Sequence, residues 1–188
     1  MKKYAFAGTS DRALYMYAKR MIDDFKDYCE IVGVYDINPK RAACFSKDVG
    51  NPTVYEDFDT MIKTEKPDTV IVTTVDAFHH QYIIRSLQLG CDVITEKPMT
   101  IDSTKCEEIL EAEQKSGKKV TVTFNYRYIP YNTEIKKMIK SGELGDILSV
   151  DFEWMLDRNM SFGAHGSSYF RRWNRYLKSF PMIMTDLL

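Results

Sequence analysis

Two kinds of apolar pattern alternate along the first 124 residues. Residues 4–7 (YAFA), 31–35 (IVGVY), 69–73 (TVIVT), 93–95 (VIT) and 120–124 (VTVTF) are short continuous runs, many of them β-branched. Such runs predict strands buried on both faces. Between them the apolar positions recur at helical spacing. Leu14, Tyr17, Ala18, Met21, Ile22 and Phe25 form a stripe with a period of about 3.6 residues. Asn38-Pro39 supplies a cap and a preset first helical residue, and Gly50 marks the end of that helix. Residues 53–55 predict a weak strand and 58–64 a short helix. Residues 78–89 and 103–116 predict two longer helices, closed by Gly90 and Gly117.

Strands alternating with helices, each strand apolar throughout, call for a parallel sheet covered by helices on both sides. Residues 1–124 are therefore expected to form a doubly wound α/β domain. The rhythm then changes. A helix is predicted over 132–141, followed by two glycines and the segment "ILSVDFEWML" (147–156), whose period of two predicts an antiparallel strand of a different sheet. Residues 125–188 are expected to hold only the incomplete start of an α+β domain. An open strand edge and a bare apolar face there would favour homo-oligomerisation or poor solubility.

Composition narrows the function. The chain has 188 residues, 44% hydrophobic and 28% charged, with 26 basic against 27 acidic residues. No basic excess exists to neutralise the phosphates of a nucleic acid. No run is long enough for a membrane span, and the apolar stretch at the start is too short for a signal peptide. Cys29, Cys44, Cys91 and Cys106 are widely spaced and read as small core residues in a reducing compartment, so a cytoplasmic protein is expected. His79 and His80 are adjacent and diverge on a helix, which gives no paired metal ligands; no metal site is expected.

In doubly wound sheets ligands sit beyond the carboxyl ends of the strands, so the strand ends are the places to search. The first gives "FAGTSDRA". Against G-x-G-x-x-[GA], Gly8 and Ala13 match and Ser10 takes the middle position. Gly8 permits the tight turn, Ala13 lets helix pack on strand, and the Ser10 hydroxyl could bond a phosphate oxygen. Asp11 puts a carboxylate near such an anion, which Arg12 could offset. The alternative is a plain strand-to-helix turn. The second strand ends in Asp36, an acceptor for a ribose diol or a turn former; Asn38 already serves as the better helix cap. A carboxylate there favours NAD over NADP, although Lys40 or Arg41 could accommodate a 2′-phosphate. The fifth strand delivers Glu96-Lys97-Pro98. This is either a charged surface turn or a lysine aimed from a stiff turn at a substrate hydroxyl, with Glu96 orienting it or touching ribose.

"FAGTSDRA", "VYDINPKR", "TTVDAFHHQYIIRSLQLGCDVITEKPMT" and "VTFNYRY" occur in that order at matching strand ends. Over residues 2–156 the chain closely resembles the glucose-fructose oxidoreductase and inositol dehydrogenase family, Gfo/Idh/MocA. The unit from Thr73 to Pro98 is the most diagnostic part. That resemblance implies an NAD(P)-binding Rossmann domain followed by a domain with a large, mostly antiparallel sheet. It also implies oxidation or reduction of a carbon–oxygen centre on a sugar, cyclitol or related small molecule.

By motif position, the resemblance puts Gly8, Ser10 and Ala13 along the pyrophosphate, with Thr9 and Arg12 also among the expected cofactor-binding residues. Asp36 falls at the ribose, Asn38 and Arg41 join the expected cofactor-binding residues, and Thr74 and His79 border the cofactor cleft. Glu96 and Lys97 fall in the E-K-P signature, whose lysine serves catalysis and nicotinamide placement, with a Lys97–Pro98 bond that is often cis in relatives. Asn125 and Arg127 match positions flanking the nicotinamide and substrate. The chain departs from the family at Ser10 and at Val75, where relatives commonly carry proline. The D-x-x-x-H pair of the relatives' second domain has no counterpart after residue 150, where His165 is the only histidine and reads as a loop residue. "YFRRWNRY" (169–176) reads as an interface or packing segment. An NAD(P)-dependent oxidoreductase is the expectation. A dinucleotide-binding module without turnover is the alternative, and a domain for another nucleotide is a third.

Overall fold

The structure is a computed structural model and describes residues 1–153. The chain divides into two compact units, Met1–Thr123 and Phe124–Leu188. In the first, six strands form one parallel sheet: β1 (Lys2–Ala7), β2 (Cys29–Tyr35), β3 (Thr53–Tyr55), β4 (Thr69–Val72), β5 (Asp92–Glu96) and β6 (Val120–Thr123). Their order in space is β3-β2-β1-β4-β5-β6. The chain winds outward from β1 through β2 and β3, then returns to lay β4 against the other side of β1. The strand order therefore reverses between β1 and β4, which is where such sheets open a crevice at their carboxyl ends.

Each helix follows from local sequence. Between β1 and β2 lies a π-helical segment (Ala13–Ala18) running into α1 (Lys19–Asp24). Phe25, expected on the apolar stripe, falls just past the helix and is exposed. Helix α2 (Pro39–Asp48) starts at Asn38, whose side chain accepts from the amides of Lys40 and Arg41. The Asp57 carboxylate caps α3 (Phe58–Glu65) through the Thr60 amide. A 3-10 turn (Asp76–Phe78) leads into α4 (His79–Gln88), and α5 (Ser103–Ser116) is capped by Asp102 and closed by Gly117.

Period-two geometry sends successive strand residues to opposite faces. Ala5 and Ala7 of β1, with Val70 and Val72 of β4, lie in one core with Met61, Ile83, Leu87 and Ile109 from α3, α4 and α5. Phe6 and Ile71 lie in the other, with Ala13, Ala18, Ala42 and Phe45 from the π segment and α2. Of the four cysteines only Cys91 is a core residue; Cys29 and Cys106 are half-buried and Cys44 is exposed. All four are free thiols, and burial pushes the Cys91 thiol up to about 11.

The second unit opens with a 3-10 turn (Asn125–Tyr128) and α6 (Pro130–Ser141). Its described end corrects the expectation of a strand: residues 147–153 take no regular structure. A single period-two segment has no ladder partner among the described residues, and without one its backbone gains nothing from extending. Residues 154–156, His165 and 169–176 lie outside the described residues. Among those described, no helix is long and apolar enough to cross a membrane, and no group of acid, histidine and cysteine side chains could hold a metal.

Arg85 of α4 forks onto Asp59 of α3, with Nε donating to Oδ1 at 2.8 Å and to Oδ2 at 3.0 Å. The Arg85 bonds, with the charges of Arg85 and Lys63, hold the Asp59 carboxyl below its ordinary value of 3.8. A depressed carboxyl adds stability that is complete above its unfolded-state value and is lost as pH falls through its folded one. Denaturant titrations should therefore show stability declining below about pH 4. Asp59→Asn should be less stable at neutral pH and decline less steeply in acid; parallel curves for the two proteins would contradict this account.

Candidate functional site

The carboxyl edge of the sheet is shaped first by Gly8. Its φ is +93°, and a Cβ there would lie 2.7 Å from both the Thr73 carbonyl carbon and the Thr74 nitrogen. Only glycine lets the end of β1 press this closely on the end of β4. The Thr73 hydroxyl donates to the Gly8 carbonyl at 2.8 Å, and the Gly8 amide donates to the Tyr35 carbonyl at 2.9 Å. The loop thus sits between its two neighbouring strands.

From that turn Thr9 reaches Asp36. Its amide and its hydroxyl both donate to Oδ2, each at 2.8 Å, and the Asn38 amide donates to Oδ1 at 2.8 Å. The Asp36 side chain is only 5% exposed, and Arg41 Nη1 stands 3.9 Å from Oδ2. A carboxylate offers about four acceptor positions, so Oδ1 retains capacity for a hydroxyl. Asp36 is thus a loop anchor as well as a candidate ribose acceptor. Asn38 spends its side-chain oxygen on the α2 cap. Beside them Ile37 is almost wholly exposed.

Ser10 stands at the start of the first helix, where its hydroxyl oxygen accepts weakly from the Ala13 amide at 3.4 Å. The first amides of any helix lack internal acceptors and form a natural seat for an anion. Arg12, expected from sequence to bind the cofactor and offset Asp11, donates from Nε to Glu96 Oε1 at 2.8 Å. The same oxygen accepts the Tyr17 hydroxyl at 2.6 Å, and that hydroxyl also lies 2.6 Å from Thr123 Oγ1. Burial, then the hydrogen bond to the Glu96 carboxylate, pushes the Tyr17 phenol well above its usual range.

The π winding accounts for this meeting. On an α-helix residues five apart point about 140° away from each other. In a π turn, whose hydrogen bonds run from i to i+5, they stack on one side. Arg12 and Tyr17 flank such a turn and reach a single oxygen.

On the far side of the crevice, the buried His79 ring bridges two strand ends. Nε2 faces the Thr74 carbonyl oxygen at 3.1 Å and Nδ1 faces the Pro98 carbonyl oxygen at 2.8 Å, each nitrogen donating when it carries the proton. His79 is 1% exposed, so its place is in the wall of the site and not in solvent. Its neighbour His80 is half-buried, and burial followed by the charge of Lys105 lowers its basicity. The Lys97–Pro98 peptide is cis, and Lys97 is half-buried between Glu96 and that proline. The structure thus links Gly8, Thr9, Asp36, Thr74, His79 and Glu96-Lys97-Pro98 through successive contacts. Asn125 and Arg127 lie in the opening turn of the second unit.

Sequence reasoning missed Tyr17 and Thr123. The one signal for Tyr17 was a polar-tipped aromatic on an otherwise apolar stripe. A dinucleotide fits the residues present. The glycine turn allows close backbone approach, Asp36 keeps acceptor capacity, and Thr74 Oγ1 is buried without a hydrogen-bond partner.

The family model described as an oxidoreductase family with an NAD-binding Rossmann fold matches residues 2–124. The chain is 46% identical over 180 residues to the Bacillus subtilis protein YteT, covering 93% of this chain and 41% of that protein. It is 32% identical over 121 residues to glucose-6-phosphate 3-dehydrogenase of Bacillus subtilis, covering 64% of this chain and 34% of the relative. The chain therefore spans well under half the length of these relatives. Among solved structures, an oxidoreductase from Thermotoga maritima superposes with a TM-score of 0.72 at 26% identity, over 78% of this chain and 45% of the other. The WlbA dehydrogenase of Chromobacterium violaceum, solved with NADH and UDP-GlcNAcA, shares the fold with a TM-score of 0.72 at 23% identity, over 77% of this chain and 41% of the other.

A methyl group at residue 8 should disrupt this edge. Gly8→Ala is expected to cost about 1–3 kcal/mol from the unfavourable φ alone, read by chemical denaturation, and to weaken NADH binding at the same time. Unchanged stability and affinity would show that the close approach of β1 to β4 is dispensable.

Proposed function

Because the chain belongs to the Gfo/Idh/MocA oxidoreductase family, we propose that it builds the cofactor half of an NAD(P)-dependent enzyme that moves a hydride between nicotinamide and a sugar or cyclitol. The observation that carries this reading is the run of contacts joining the glycine turn, the Asp36 carboxylate and the Lys97 turn along one sheet edge. A nicotinamide dinucleotide, when bound, supplies the ring that accepts or returns the hydride. Relatives named as a glucose-6-phosphate 3-dehydrogenase and an inositol 2-dehydrogenase support a polyhydroxylated substrate.

The chain's own residues divide the work. Gly8 and the helix start behind Ser10 receive the pyrophosphate, with backbone amides and the helix dipole favouring negative charge. Asp36 Oδ1 accepts a ribose hydroxyl, while Oδ2 keeps Thr9 in place. The buried Asp36 carboxylate would repel a 2′-phosphate, so NAD is the preferred form; the exposed Lys40 and Arg41 are the cations that could soften that preference.

Lys97 handles the proton. A carbinol that gives up a hydride also gives up its hydroxyl proton, and the amine of Lys97 takes it; in the reverse direction the ammonium returns it to the developing alkoxide. Glu96, held by Arg12 and Tyr17, fixes the turn that carries this lysine. The boundary between residues 124 and 125 is proposed as the junction between cofactor domain and substrate domain, with Asn125 and Arg127 opening the latter.

The test combines NADH fluorescence titration with a turnover screen over sugars, sugar phosphates and cyclitols. Lys97→Ala should keep NADH binding and lose turnover by about 10²–10⁴-fold, the usual range for a positioned proton-transfer group. Asp36→Ala should weaken NADH binding and narrow the gap between NADH and NADPH. Binding without turnover on any substrate, unaffected by Lys97→Ala, would favour a dinucleotide-binding module instead.

A further inference from the structure

The Glu96-Lys97-Pro98 turn is gripped on both sides. On one side His79 Nδ1 faces the Pro98 carbonyl oxygen at 2.8 Å. On the other, Arg12 and Tyr17 both donate to Glu96 Oε1, at 2.8 Å and 2.6 Å. Glu96 is also locked in the sheet, paired with Thr123 across β5 and β6. Lys97 is the one residue between these two fixed points.

The geometry points to Arg12 and Tyr17 as positioning residues for Lys97, acting through the Glu96 carboxylate and coupling the glycine loop to the proton-transfer turn. This rests on the proposed role of Lys97. Three features set the grip apart from ordinary packing. Packing alone would be met by an apolar residue at position 17, whereas the phenol places its hydroxyl on a carboxylate whose side chain is only 8% exposed. Both donors converge on one oxygen, where charge-assisted bonds are short and directional. The helix also abandons α winding over Ala13–Ala18, the stretch that brings both donors together. Such interruptions recur at functional sites.

Arg12 follows the turn expected to receive the pyrophosphate, so any movement of that turn is passed to Glu96 and on to the Lys97 backbone. Arg12 is therefore assigned to the lysine end of the crevice.

The test needs no substrate. Trace acetylation of the whole chain with acetic anhydride at fixed pH, read by peptide mass spectrometry, gives the rate at Lys97 relative to Lys115, which is well exposed on α5. Losing one charge-assisted bond should change that ratio by about tenfold in Tyr17→Phe and in Arg12→Gln. Arg12→Lys should restore part of it, because the charge remains while the guanidinium geometry does not. An unchanged ratio in both variants would overturn the proposal, as would equal loss in Arg12→Gln and Arg12→Lys. Should Tyr17→Phe fail to fold, Arg12→Gln decides, since the Arg12 side chain is 35% exposed and its removal opens no core cavity. NADH titration of the same samples reads the functional proposal separately: a wild-type chain that binds no NADH refutes that reading and leaves the labelling ratio interpretable.

Discussion

The absence of one methyl group at residue 8 governs the carboxyl edge of this sheet. With no Cβ, the end of β1 lies against the backbone of Thr73 and Thr74, closer than any other residue could. The chain can then turn back at once, which carries Thr9 over the end of β2 and onto Asp36. It also holds the end of β4 where Thr74 meets His79, and through His79 the proline of the fifth strand's turn. A larger residue at position 8 would move two strand ends together, and with them both acids of the site.

Those two acids are the electrostatic poles of the crevice. Asp36 and Glu96 are both nearly excluded from water, a placement that is costly for an ionised group unless donors replace the lost hydration. Each is compensated differently. Asp36 is met at hydrogen-bond distance by backbone amides and a hydroxyl, with the half-exposed Arg41 standing off at 3.9 Å, which leaves one oxygen with room to accept. Glu96 is met by a guanidinium and a phenol, so its charge is cancelled locally. The first end keeps an acceptor open to a hydroxyl, and the second keeps a charge-balanced carboxylate beside Lys97.

The sequence exposed most of the fold because buried parallel strands write continuous apolar runs, and because Asn38-Pro39, Gly90 and Gly117 punctuate the helices locally. It exposed Gly8, Asp36 and Lys97 as candidates because each stands at a strand end, where sheet topology concentrates ligands. It did not disclose that Asp36 anchors Thr9, or that Arg12 turns to Glu96, since both depend on partners far away in sequence. The π winding was hidden too: an apolar stripe looks similar under either helical pitch over six residues. Residues 147–153 misled for the opposite reason. Alternation there was real, but a strand is a property of a pair of segments and not of one.

The contact between Tyr17 and Thr123 joins residues 106 apart in the chain. The contacts of Thr9 on Asp36 need only the ends of β1 and β2, whereas the partners around Glu96 draw on Arg12, Tyr17 and Thr123. The Asp36 end of the edge is therefore assembled from near neighbours in sequence, and the Glu96 end from segments drawn from across the whole domain.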